Sequence, residues 1–173
     1  MARGRWYWWV GVDMWGVLGM AASAVFTRLA RAELGDLVAA AVDDDPQAFA
    51  AFLAANGTSV ADFDEDGEIF SALLPILSEE YDIDLETSEN EVVADLAEAS
   101  EALVFILTVE DQVKYLAKLN PDNFSEDELA EAYEDFTEEE DDGAGELMLA
   151  AIGALHQALM EVDADHVVVV TVG

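Results

Sequence analysis

The sequence predicts a mainly α-helical fold: a bundle-like domain of five or six helices, with a short β element made by the two ends of the chain. Three observations carry this expectation. Apolar residues recur at three- and four-residue spacing over most of the chain after Val25, as in helices with one buried stripe. Starts and stops lie between these segments as Asp-Pro, Thr/Ser-x-x-acid and Gly signals. Only His166-Val-Val-Val-Val-Thr-Val172 is dominated by β-branched residues and reads as a strand.

From Val25 to Val42, Leu29, Leu34, Leu37, Val38 and Ala41 alternate with Arg28, Arg31, Glu33 and Asp36, so an amphipathic helix is expected. Asp43-Asp44-Asp45-Pro46 stops it and opens a helix from Gln47 to Asn56, ended by Gly57. Residues 58–67 read as a loop. A helix from Glu68 to Glu80 carries Ile69, Phe70, Leu73, Leu74, Ile76 and Leu77, and Pro75 is expected to kink or break it. Tyr81 to Ser88 reads as a connection.

Val92, Leu96, Ala99, Leu103 and Ile106 then form a heptad-like seam that predicts a helix from about Glu89 to Leu107. Thr108-Val-Glu-Asp111 resembles a capping box opening a helix from Val109 to Leu119. Ser125-Glu-Asp-Glu128 is a cleaner one, before a helix through Leu129, Ala132, Tyr133 and Phe136. The last helix, Glu146 to Met160, places Met148, Ile152, Leu155 and Leu159 on one stripe. The terminal strand needs a partner, and Trp6–Val12 is the most β-compatible candidate.

The chain divides into an aromatic, basic attachment segment, 1–31, and an acidic helical domain, 32–173. All four tryptophans and all four arginines lie in the first part, which carries a net charge of +3 (four Arg against Asp13). The second carries Lys114 and Lys118 against 38 carboxylates, a net of −36. Four readings are open for the apolar stretch 6–27. It has the length of a membrane helix, although Asp13 is costly there. Met1–Arg5 and Ala22-Ser23-Ala24 have the layout of a cleaved signal. Trp6–Val12 as a core strand would leave Asp13 to cap the next helix. As a docking arm, Arg3, Arg5, Trp6, Tyr7, Trp8, Trp9 and Trp15 would fill a groove on a partner subunit, because Trp, Tyr and Arg favour interface hot spots.

The acidity is spread through segments that also hold Leu, Val, Ile and Ala at helical spacing. Such a surface repels itself in dilute buffer. In molar salt that repulsion is screened within about 3 Å. The composition resembles that of proteins from salt-in halophiles, especially haloarchaea. The same charge excludes nucleic acid as a partner, since phosphates are neutralised by Lys and Arg. With no cysteine there is no thiolate zinc site and no thiol nucleophile.

Asp62-x-Asp64-x-Asp66-Gly67 matches the opening of a calcium loop, but the twelfth position is Leu73 instead of a bidentate Glu. A weaker Ca²⁺ or other cation site at Asp62, Asp64 and Asp66 is the candidate metal site. His156 and His166 read as boundary histidines, the latter close to Glu161, Asp163 and Asp165. The acidic run from Glu134 to Asp142 reads as a solvated face, with docking to a basic partner as its alternative. No nucleophile elbow, phosphate loop, dinucleotide fingerprint or His-Glu-x-x-His is present.

The expected function is therefore non-catalytic, with no catalytic residue and no cofactor. The chain reads as a structural or assembly subunit of a larger halophilic complex, such as a membrane assembly or a virus particle. Its partner is another protein or a second copy, with the membrane as an alternative through residues 6–27. A membrane-anchored cation-binding module is the second expectation, and a carboxylate-based hydrolase the third.

Overall fold

The computed structural model describes residues 22–43, 45, 47–87, 91–99 and 102–173. Among the described residues four strands form one antiparallel sheet: β1 (Ala24–Ala30), β2 (Thr58–Ala61), β3 (Leu103–Leu107) and β4 (His166–Val172), in the order β2-β1-β4-β3. Seven α-helices are found among the described residues: α1 (Leu34–Ala41), α2 (Ala48–Asn56), α3 (Ile69–Tyr81), α4 (Glu91–Ala99), α5 (Val109–Tyr115), α6 (Glu126–Thr137) and α7 (Ala144–Met160). A bundle of five or six helices with a short terminal β element is therefore the wrong architecture. The sheet is the middle layer, and helices cover both of its faces.

Side-chain alternation along the strands sorts the core into two parts. Phe26, Phe105, Leu107, Val168 and Val170 face α3, α6 and α7 in the larger cluster. Leu29, Val104, Ile106, Val167 and Val169 face Leu34 and Leu37 of α1, Leu53 of α2 and Leu96 of α4. Val167 to Val170 are at most 1% exposed, because β4 has strands on both sides and helices on both faces. A strand in that position has no polar face, so its sequence is an unbroken apolar run.

The same physics explains the misread segments. Leu103-Val-Phe-Ile-Leu107 continues the helical seam of Val92 and Leu96 by coincidence of spacing. It is a strand, and the helix expected from Glu89 to Leu107 is α4 alone. The helix expected from Val25 to Val42 is β1, a turn of 3-10 helix (Arg31–Glu33) and α1. β1 pairs with β4 along its whole length, from Ala24 opposite Val172 to Ala30 opposite His166. The terminal strand thus has β1 beside it, in the place the sequence reading gave to Trp6–Val12. β2, read as loop, is four residues long and pairs with β1 across a bulge: Phe26 faces Ala61 while Thr27 faces Ser59. The Val60 carbonyl at the bulge accepts a hydrogen bond of 3.1 Å from the Gln157 side chain.

The other helices lie where capping and periodicity put them. α3 runs unbroken through Pro75, held by seven buried residues including Phe70, Leu73 and Leu77. Thr108 and Asp111 form the reciprocal capping box: Thr108 N–H donates to Asp111 at 2.8 Å and Asp111 N–H to the Thr108 hydroxyl at 3.4 Å. Ser125 occupies the N-cap position of α6 but makes no side-chain cap bond. α7 is the central helix of its layer, with Met148, Ile152, Leu155 and Leu159 fully buried.

Candidate functional site

Arg3, Arg5, Trp6, Tyr7, Trp8, Trp9 and Trp15 lie outside the described residues. So does most of the 6–27 span, whose last four positions belong to β1. No helix among the described residues is long and apolar enough to cross a membrane.

The Asp62–Gly67 turn connects β2 to α3. Phe63 is drawn into the core, edge-on to Phe70 with 5.3 Å between ring centroids. Its flanking carboxylates, Asp62 and Asp64, are exposed. Asp66 accepts a 3.0 Å hydrogen bond from the Glu68 N–H, an Asx turn that starts α3. The three aspartates are not brought together: no group of three acids or histidines able to hold a metal is found among the described residues. Gly67 has a packing role. Its N–H donates to the Ala22 carbonyl at 2.6 Å, and the backbone of residues 22–24 lies where a side chain would be.

Beside this turn, α3, α6 and α7 leave an open groove of about 310 Å³. Its apolar wall is Ile69 and Ala72 from α3, Tyr133 and Phe136 from α6, and Leu147 from α7. Asp66, Glu68 and Asp141 supply carboxylates, and no lining residue is basic. Phe136 is 45% exposed, unusual for an aromatic ring on a helix otherwise rich in carboxylates. Ser71 also lines the groove, and Pro75 provides no N–H for the Ser71 carbonyl. The groove therefore combines aromatic surface with negative charge, and suits a ligand that is both apolar and cationic.

A second cleft, of about 410 Å³, lies between the end of α3 and α6. Its walls are Tyr81 with Glu80, Glu128, Glu131 and Asp135. Burial, then the negative charges of Glu128 and Glu80, push the Tyr81 phenol above its ordinary value. The acidic run from Glu134 to Asp142 is thus divided: Asp135 faces this cleft and Asp141 the groove.

The histidines are apart. His156 is half-buried on α7. His166 opens β4 with Nδ1 at 2.9 Å from Asp163, and Arg28 from β1 reaches the same carboxylate at 2.6 Å. The His166 hydrogen bond first, then the Asp165 N–H and the Arg28 guanidinium, hold the Asp163 carboxyl down at about 2. Arg28 also donates to the Glu161 carbonyl at 2.9 Å. These bonds tie the end of α7 to β1 and β4, so this corner closes a turn.

Sequence reasoning named Tyr133 and Phe136 only as an apolar helix face and missed the groove. Their signal was a stripe reaching Phe136 in a helix where acids surround it. Compared with known proteins, the chain matches no protein-family model, no curated protein and no solved structure.

Proposed function

We propose that this protein is a non-catalytic assembly subunit of a larger halophilic complex, attached through its Trp-rich N-terminal segment. The observation that carries the reading is the position of β1. With Ala24–Ala30 paired along the whole of β4 and Leu103–Leu107 paired on its other side, both edges of the terminal strand are occupied. Trp6–Val12 is then not needed as the partner of the terminal strand, and its aromatic side chains, with Arg3 and Arg5 before them, are assigned to contact with another surface.

The charge distribution supports the high-salt setting. A net charge of −33 on 173 residues favours a compact fold only where repulsion is screened. The exposed carboxylates are distributed over the helices of both layers, as a solvated surface requires.

The test compares the full-length chain, a Trp6→Ser/Trp8→Ser/Trp9→Ser variant and a chain starting at Ala22, all in molar KCl. Circular dichroism reports folding, light scattering the assembly state, and flotation with phosphatidylglycerol vesicles the membrane contact. The expected result is three folded proteins, of which only the full-length wild type assembles or floats. Loss of fold on truncation would place the segment in the core and sink the proposal.

A further inference from the structure

We infer that the α3–α6–α7 groove is the docking site of the chain's own Arg3–Trp9 segment when that segment is not engaged elsewhere. This rests on the attachment reading above and adds the place where the segment is held.

Charge and surface type are complementary. The groove offers Tyr133, Phe136 and Leu147 beside Asp66, Glu68 and Asp141. Arg3-Gly-Arg5-Trp6-Tyr7-Trp8-Trp9 offers guanidinium groups next to indoles. Arginine stacks on aromatic faces and pairs with carboxylates, and indole rings pack against aromatic and aliphatic side chains. A volume of about 310 Å³ lies at the lower end of the range for small-ligand pockets, the scale of one or two aromatic side chains. In molar salt only the ion pairs at contact distance survive screening, so the aromatic surface provides most of the attraction.

Chain geometry favours the same molecule over a neighbour. Ala22 is hydrogen-bonded to Gly67, whose neighbours Asp66 and Glu68 line the groove. Trp9 stands thirteen positions before Ala22, a length that spans roughly 43–47 Å when extended. A tether of this length presents the segment at an effective concentration of order millimolar. That exceeds the concentration of free copies in a dilute solution. Arg28, Arg31 and Lys118 are engaged with Asp163, Glu110 and the Asp82 carbonyl within the fold.

All four tryptophans lie at positions 6–15, so tryptophan emission of the intact protein reports on this segment alone. The experiment measures emission maximum and acrylamide quenching of the full-length chain in molar KCl, for wild type, Phe136→Ser and Tyr133→Ser. Circular dichroism confirms that each variant is folded. The expected result is blue-shifted, protected emission in the wild type, already present at concentrations below those at which light scattering detects assembly. In both variants it moves to the red, with quenching close to that of free tryptophan.

Solvent-like emission in the wild type would overturn the docking while leaving attachment to other surfaces intact. Protected emission that ignores both substitutions and is lost only on global unfolding would overturn the docking and the attachment reading together. Protection that appears only as concentration rises would assign the groove to the segment of a second copy and refute docking within one molecule.

Discussion

Gln112 on α5 supports the far end of α7, and replacing it tests how that end is held. Its amide nitrogen donates to the Leu159 carbonyl at 2.6 Å and to the Val162 carbonyl at 2.9 Å. Both acceptors lie where a helix runs out of its own N–H donors. Each such bond contributes about 1 kcal/mol net, so Gln112→Met, similar in shape but without donors, is expected to cost about 2 kcal/mol. Gln112→Glu also loses both donors at neutral pH and places a negative charge at the negative end of α7. The dipole term adds about 0.3–1 kcal/mol, for a total near 3 kcal/mol. Below the ordinary glutamate value of about 4.3 the introduced carboxyl is protonated and regains one donor. The Glu variant should then recover to about 1 kcal/mol below wild type while the Met variant does not move. Urea unfolding in molar KCl, at neutral pH and at about pH 4, measures both differences. A Met variant within about 0.5 kcal/mol of wild type would refute the assignment, because that is the spread of ordinary surface substitutions.

Gly145 and Gly35 should respond to alanine with opposite signs. A Cβ at Gly145 would overlap the Glu126 backbone carbonyl and force α6 off α7, at a cost of roughly 1–3 kcal/mol. A Cβ at Gly35 meets nothing within 4 Å, so Gly35→Ala should stabilise α1 by about 0.5–1 kcal/mol, read as paired urea midpoints. The Asp163 carboxyl is held down at about 2, below its ordinary 3.8, so its contribution to stability is present above 3.8 and lost as pH falls toward 2. Asp163→Asn should therefore flatten this part of the acid limb in a wild-type-minus-variant unfolding curve, and an unchanged difference would count against the Arg28–Asp163–His166 corner. Because Asp62 and Asp64 flank the inward-facing Phe63, millimolar calcium in molar KCl should leave the melting temperature unchanged; a rise abolished by Asp64→Ala would establish the cation reading.

The helices were legible wherever punctuation and periodicity agreed. α2, α3, α6 and α7 begin and end within a few residues of their expected limits, and the Thr108–Asp111 box formed as read. β3 was not legible, because a strand buried on both faces lacks the alternation that distinguishes a strand from a buried helix, and β1 was not legible because Leu29 and Arg28 continue the helical pattern of α1. Leu103–Leu107 could be assigned only by its short length and its neighbours. β2 carries too few residues to show any period. The groove was hidden for a different reason: Ile69, Phe136 and Leu147 belong to three helices, and only their packing brings them to one wall.

The placement of β4 has a consequence for how this chain is made. β4 separates β1 from β3, yet it is the last of the three to be synthesised. A nascent chain emerging from the ribosome carries β1 and the apolar Leu103–Leu107 segment without the strand that joins them. The two ladders on β4 can zip only after the valine run is released, so the sheet assembles late, from contacts far apart in sequence. Until then its strand edges are open to other nascent chains. The abundant carboxylates between those strands give such unfinished chains a mutual repulsion during that interval.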